Sequence, residues 1–297
     1  MRFKQPLYFV ALVLASFCLA SCGSSSSDKV NNSDDFNEAE KDSLSQRIEH
    51  VMYNIPKPTE IPYQLQATGA EFNPLLVNKK DKADQYVSVN DKAALNLGVY
   101  AADVGYLASY EKTQEAIDHL AACKILAENL NIIGSFDVEV LQKFEANISN
   151  KDSLSALVDA SMKNTDAFLK DSNRNKLSAL VITGSFVEGL YIASGIIKTY
   201  PKNLLKDEDR KSVLMPLTQL ILKQKSSVSE LVKMLSSVEQ SESVAGLLAD
   251  MKSLETAYAS LDLDQQIKDK RADLVLTDKG LADITTIVEK VRKDITD

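Results

Sequence analysis

The sequence predicts an all-α protein, a multi-helix bundle with about eight main helices. Apolar residues recur at spacings of three and four from about residue 36 onward, which is the period of helices with one buried face. No stretch shows the sustained alternation and β-branched enrichment that strands need. Gly occurs only 10 times and Pro 7 times in 297 residues, so signals that end regular structure are few. We expect one helical domain over residues 36–297, long enough to bury a large core.

The first 21 residues have the composition of a secretory signal peptide. Arg2 and Lys4 precede an apolar run over residues 7–17, and small residues lead to Cys22. The segment Leu19-Ala20-Ser21-Cys22 resembles the lipobox of bacterial lipoproteins. The resemblance implies that Cys22 is lipidated after cleavage and anchors the chain in a membrane through several acyl chains such as palmitate, each buried methylene contributing about 0.8 kcal/mol. A plain secreted protein with an incidental cysteine is the alternative.

The residues after Cys22 predict a tether and a location. Residues 23–35 are polar and lack any apolar period, so we expect a flexible tether of about 20 Å. In the best-known Gram-negative pathway an Asp directly after the lipidated Cys retains a lipoprotein in the inner membrane, and this chain has Gly23 there. We therefore expect a cell-envelope protein anchored in the outer membrane, on either its periplasmic or its surface leaflet.

The net charge limits the classes of binding partner, and the number of cysteines limits the disulfides that the chain can form. Loss of Arg2 and Lys4 with the signal peptide moves the net charge from −8 to −10. This acidic balance argues against nucleic acid and against electrostatic docking on anionic headgroups. Cys123 would be the remaining unmodified cysteine, so we expect no internal disulfide.

The apolar period places the helices. They are expected near residues 37–53, 59–68, 90–110, 112–130, 137–148, 152–169, 176–200, 207–235, 241–261 and 277–296. The stretch between residues 69 and 89 is expected to be irregular. Ser241 should cap its helix, and Pro216 should kink or split the helix over 207–235.

Two helices, near 90–110 and 176–200, are rich in small residues and are expected at the centre of the bundle. In the first, small residues step by four, three and four along one face and allow close approach of another backbone: Gly98, Ala102, Gly105 and Ser109. Residues 177–197 contain one charge in 21 positions, so a transmembrane span is an alternative to a buried core helix. Polar residues within the segment and the lack of a flanking aromatic or basic belt favour burial.

These two helices share a sequence pattern. Gly98-Val99-Tyr100-Ala101-Ala102 is followed 91 residues later by Gly189-Leu190-Tyr191-Ile192-Ala193. Chance and an internal duplication are both compatible with five positions. A duplication would place Gly98 and Gly189 at the helix contact.

Polar residues gather on one stripe of each central helix. The stripes consist of Asn96, Tyr100, Asp103 and Tyr110 on the first, with Tyr106 beside them, and of Ser185, Glu188 and Tyr191 on the second. A carboxylate in an apolar helix must be paired, hydrogen-bonded or protonated. We expect a structural polar network, with a cleft for a cationic or hydroxylated ligand as the alternative. An acid–base pair of Asp103 and Glu188 is the third interpretation.

Recognisable catalytic and metal motifs are missing from the sequence. Two histidines leave little room for a triad or a multi-histidine site, and Glu115 with His119 is expected to form part of a solvated face. The chain has no nucleophile elbow, phosphate loop or dinucleotide fingerprint. We therefore expect no enzyme activity, no metal and no cofactor.

The segments over residues 94–103 and 184–191 are similar to a family of uncharacterised all-helical lipoproteins from Bacteroidota. The resemblance implies the helical fold and the envelope location, and it supplies no catalytic residues. We expect a protein-interaction or scaffolding module with an envelope protein as its partner. The alternative is a bundle that binds a small cationic or polyol ligand through Asp103, Tyr100, Glu188 and Tyr191.

Overall fold

The computed structural model confirms the all-α multi-helix bundle. It describes residue 46 and residues 48–51, 54–132, 138–147, 150–171, 174–200, 207–261 and 279–297. The fold is 81% helical, and the described residues contain no strand. The predicted signal peptide, Cys22, the tether and most of the helix near 37–53 lie outside the described residues.

The helices agree with the predicted order. They are α1 (Glu60–Ala67), α2 (Ala83–Tyr86), α3 (Asn90–Ser109), α4 (Thr113–Asn129), α5 (Val138–Ala146), α6 (Lys151–Asp171), α7 (Asn175–Thr199), α8 (Asp207–Leu222), α9 (Lys225–Leu235), α10 (Glu242–Ala259) and α11 (Lys279–Thr296). Two 3-10 turns, Pro74–Leu76 and Lys80–Lys82, interrupt the irregular stretch before α2.

The central pair is α3 and α7, and small residues bring their backbones together. A Cβ on Gly98 would lie 2.0 Å from the carbonyl oxygen of Val181, and a Cβ on Gly184 would lie 2.0 Å from that of Leu95. Each helix therefore needs glycine where the other helix crosses it. The contact of Gly98 with Gly189 that an internal duplication would place at the crossing is not formed, because Gly189 faces the Ile61 side chain on α1.

Helix α7 is a core helix. Its best 18-residue window has a mean hydropathy of 1.7, so by length and composition it could cross a membrane, yet 89% of that window is buried inside the bundle. Buried neighbours on α3, α6, α8 and α11 account for its apolar character, since a helix enclosed on all sides needs no polar face.

The remaining helices surround this pair and share one contiguous apolar cluster. Helix α11 is the clearest example of a helix with one buried apolar face. Its buried residues step by three and four, which places one apolar face against α7 and α10: Leu281, Ile284, Val288, Val291 and Ile295. A helix with this pattern gains its stability from docking rather than from its own propensity.

Two boundary predictions have different outcomes. The Ser241 hydroxyl accepts a hydrogen bond from the Val244 amide at 3.3 Å, which confirms the cap of α10. Pro216 does not split its helix. It lies inside α8, and the break falls at Lys223–Gln224, after which α9 begins.

Candidate functional site

The side chains of the polar stripe on α3 bind the main-chain atoms of an irregular segment of the chain. We call residues 70–82 the clasped segment. At its first end, the Tyr110 hydroxyl donates to the Ala70 carbonyl at 2.8 Å, and the Asn73 amide donates to the Tyr106 hydroxyl at 2.8 Å. Buried backbone without a regular partner must find side-chain hydrogen bonds, and here α3 supplies them.

The other end of the clasped segment is held in the same way. The Asn78 amide donates to Asp103 Oδ2 at 3.1 Å, and the Tyr100 hydroxyl donates to the Lys79 carbonyl at 2.7 Å. Tyr100 and Asp103 are fully buried. Two of the predicted site residues therefore bind backbone of their own chain.

Asp103 on α3 and Glu188 on α7 meet in the centre of the bundle. Both side chains are fully buried, and their carboxyl groups lie within hydrogen-bonding reach of each other. Asp103 Oδ1 receives no hydrogen from the amides or hydroxyls in the described part of the chain, so Glu188 is the group left for it to meet. Two carboxyl groups in such contact are compatible only when a proton lies between them.

Arg292 on α11 completes this centre. Its Nε and Nη2 donate to Glu188 Oε2 and Oε1 at 3.1 and 3.3 Å, so the guanidinium binds both carboxylate oxygens. The guanidinium also lies 4.7 Å from the ring centroid of Tyr191, in a cation–π contact. Only 16% of the Arg292 side chain is exposed. We call Asp103, Glu188 and Arg292 the buried charge cluster.

Burial and the neighbouring charges shift the pKa values of all three residues in the buried charge cluster. Burial raises the pKa of Asp103 well above its usual range, the neighbouring Glu188 raises it further, and Arg292 opposes the rise. Burial likewise raises the pKa of Glu188, against the lowering effect of Arg292. Burial lowers the pKa of Arg292, but the two carboxyl groups more than offset this effect. With one proton on the carboxyl pair, the two carboxyl groups and the guanidinium together carry no net charge.

The C-terminal end of α11 is bound nearby. Asn96 Nδ2 donates to the Ile295 carbonyl at 2.9 Å, and the Tyr86 hydroxyl donates to the Thr296 carbonyl at 2.9 Å. Lys82 Nζ donates to the same Thr296 carbonyl at 3.0 Å. The last carbonyls of a helix lack partners within it, and cations are favoured there.

The expectation of a solvated face at His119 is wrong, because this side chain is only 6% exposed. Its Nδ1 lies 2.7 Å from the Glu115 carbonyl oxygen, and its Nε2 lies 2.8 Å from the Asn78 carbonyl oxygen. A carbonyl only accepts, so each contact is a hydrogen bond only when that nitrogen carries a proton. His119 is thus another side chain that holds the clasped segment by its backbone.

The predicted site residues divide into four places. Asp103, Glu188 and Tyr191 meet at the buried charge cluster, with Tyr100 beside them. Asn96 lies at the end of α11, and Tyr110 lies at the start of the clasped segment. Ser185 lies at the helix crossing, where its backbone nitrogen is 2.6 Å from the position of a Cβ on Gly98.

Sequence reasoning missed Arg292, Asn78 and Tyr86. Arg292 follows the buried Val291 on a strongly amphipathic helix, where a charged residue usually faces solvent. The signal that points to it is charge balance: a carboxylate within an apolar helix requires a cation from elsewhere in the chain. Asn78 reaches Asp103 through its backbone amide, and Tyr86 reaches the end of α11 through its hydroxyl; no spacing rule reveals either contact.

An apolar cavity lies apart from the cluster, between α3, α4 and α6. Its volume is about 10 Å³, and it is lined by Ala101, Val104, Leu120, Cys123, Val158 and Met162. This volume holds about one water molecule, far less than the roughly 300 Å³ of a ligand pocket. Among the residues that the structure describes, no group of three or more His, Cys, Asp or Glu side chains is placed to hold a metal ion.

Comparison with known proteins gives no relative for this arrangement. No protein-family model matches the chain, and neither a curated protein nor a solved structure matches it.

Proposed function

We propose that this protein is a lipid-anchored envelope protein whose helical body serves as a protein-interaction or scaffolding module. The observation that carries the proposal is that the polar centre is already filled by its own chain. Asp103 and Glu188 are fully buried, and their partners are Arg292, the Asn78 amide and each other.

This arrangement argues against the small-ligand alternative. A cationic ligand for Asp103 and Glu188 would occupy the place that the Arg292 guanidinium takes, bidentate on the carboxylate and stacked on Tyr191. A polyol would need hydroxyl partners, but the Tyr100 hydroxyl is bound to the Lys79 carbonyl. Binding is therefore assigned to the exterior of the bundle.

One exterior position has the character of a binding surface. Leu75 is 85% exposed, the highest exposed fraction among the large apolar side chains in the part of the chain that the structure describes. Its backbone is fixed nonetheless, because the Leu75 amide donates to Asn73 Oδ1 at 3.0 Å and Asn73 is held by Tyr106. A fixed, outward apolar residue loses little entropy when a partner covers it.

The anchor is tested by acyl labelling in cells. The full chain is expressed in a Gram-negative host with an alkynyl palmitate analogue, beside Cys22→Ser and the matched control Cys18→Ser. We expect label on the wild-type chain and on Cys18→Ser, and none on Cys22→Ser. Equal labelling of both variants, or none on the wild type, rejects lipidation at Cys22. Gly23→Asp should move the labelled protein from the outer to the inner membrane.

The module is tested by site-specific photocrosslinking in intact cells. A photoreactive residue at position 75 is compared with one at Gly246, which is exposed on α10 with open space around it. We expect a discrete crosslinked protein from position 75 and none from position 246. Equal products from both positions contradict the assignment. A rise in melting temperature with spermidine or glycerol that Asp103→Asn abolishes would favour the ligand-binding alternative instead.

A further inference from the structure

Helix α11 is docked on the bundle by an apolar face and by a single buried charge. Arg292 is the residue of α11 that binds Glu188, and both are shielded from solvent. Two more exposed ion pairs, Lys198–Glu289 and Lys290–Asp250, connect α11 to α7 and α10. Exposed ion pairs contribute little, so among the ion pairs of α11 the buried one is the contact on which we focus.

The buried charge cluster contains two carboxyl groups and one guanidinium. Glu188 uses both oxygens on Arg292, and Asp103 Oδ1 is left to face Glu188. With one proton between the carboxyl groups, they form a hydrogen bond and the single negative charge is neutralised by Arg292. Without that proton, two negative charges lie together in a dry site with one cation, which is costly.

We propose that the proton shared by Asp103 and Glu188 is a latch that holds α11 on the bundle, and that its loss favours detachment of α11. Detachment takes Arg292 away and admits water to the face that α11 covers. Both carboxyl groups then ionise as they do in solvent, so opening releases one proton. A reaction that releases a proton is favoured by rising pH, by up to tenfold for each pH unit.

Several other titratable groups face the latch. Tyr100 on α3 lies beside Asp103, and Tyr191 on α7 lies beside Arg292 of α11. Tyr86 on α2 reaches the end of α11. Burial raises the pKa of each of these tyrosines, so they stay protonated near neutral pH. On α4, burial raises the pKa of the Cys123 thiol, which keeps it neutral.

His119 on α4 is the remaining group that faces the cluster. Its proximity lowers the pKa of Glu188, against the larger effect of burial. Its ring nitrogens contact the carbonyl oxygens of Glu115 and Asn78 rather than α11. Near α11, Glu289 is paired with Lys198 and Asp297 with Lys82.

The latch is tested by amide hydrogen exchange of the full chain, purified in mild detergent, between pH 5 and pH 8.5. Protection factors, corrected for intrinsic rates, are read for α11 and for α9 as an internal reference. Asp103→Asn supplies a side-chain amide that donates to Glu188 at every pH. Asp250→Asn is the matched control, because it removes an ion pair to Lys290 on the same helix but no shared proton.

We expect protection of the wild-type α11 to fall at least tenfold across this pH range, while α9 changes less than threefold. Asp103→Asn should keep α11 protected at all pH values, and Asp250→Asn should retain the wild-type slope. Wild-type protection that does not change with pH overturns the latch. So does a slope that persists in Asp103→Asn, or a loss that is equal in α9 and α11. The wild-type profile alone decides the question if the variant does not fold.

Discussion

Gly98 lies directly against the carbonyl group of Val181. A Cβ at position 98 would lie 2.0 Å from that oxygen and 2.6 Å from the Ser185 amide nitrogen. Both obstacles are backbone atoms of α7, which no side-chain rotation removes. The crossing of α3 and α7 therefore requires residue 98 to have no side chain.

Gly98→Ala should destabilise the protein by at least about 3 kcal/mol, because the two central helices must separate to admit the methyl group. Gly246→Ala is the matched control. Gly246 is exposed in α10 with nothing within 4 Å of its added Cβ, so alanine there should stabilise the fold by about 0.5–1 kcal/mol. Urea unfolding followed by circular dichroism measures both. Equal effects of the two substitutions would contradict the close crossing.

Arg292→Met should destabilise the fold more at pH 8 than at pH 5. Methionine keeps the packing on Tyr191 but removes the cation that opposes the raised pKa values of Glu188 and Asp103. The folded-state pKa of each carboxyl group then rises further above its unfolded value of 4.5 or 3.8, and stability is lost as pH rises above those values. We expect a loss of about 3–5 kcal/mol at pH 8. The loss should be at least about 1 kcal/mol smaller at pH 5.

Denaturant unfolding at the two pH values measures this difference. Lys290→Met provides the control on the same helix, since Lys290 binds Asp250 and Asp294 at the surface. Its cost should stay below about 1 kcal/mol at both pH values. A pH-independent cost of Arg292→Met would show that charge neutralisation is not its role.

Tyr100→Phe should loosen one end of the clasped segment. The substitution leaves the Lys79 carbonyl without the hydroxyl that donates to it at 2.7 Å, and we expect a loss of about 1–3 kcal/mol. Tyr110→Phe removes the corresponding bond to Ala70 at the other end. The two sites are about 15 Å apart along α3, so the losses should add in the double variant. Faster amide exchange confined to α6 rather than to residues 70–82 would refute the assignment.

Cys123 should be inert in the folded protein. The side chain is fully buried, and burial raises the pKa of its thiol. If Cys22 is acylated and Cys18 is removed with the signal peptide, the mature protein should give no reactive thiol when native and one in guanidinium. Titration with a thiol reagent at pH 8 counts them. A second thiol in guanidinium would mean that Cys22 is unmodified, and a fast native reaction would mean that Cys123 is accessible.

The fold was predictable because its signals are local. Glycine and alanine at helical spacing marked α3 and α7 as the central pair, and Glu188 in an apolar helix indicated an internal polar contact. The partner of Glu188 was not predictable, because Arg292 lies 104 residues later on a helix that has the pattern of a surface helix. The irregular residues between α1 and α2 gave no sign of burial, since their hydrogen bonds use main-chain atoms. The break in the helix predicted over 207–235 falls at Lys223–Gln224 rather than at Pro216, and the exposed position of Pro216 gives no structural reason for this.

The clasped segment is held by hydrogen bonds to its main-chain atoms. Its attachment to the bundle therefore does not depend on which side chains it points outward. Tyr100, Asp103, Tyr106 and Tyr110 bind peptide groups that every sequence provides. Exchange of Leu75 for another residue leaves all four bonds in place. The outward residues of the clasped segment can therefore change without altering how the segment is held, so substitutions there need not disturb folding.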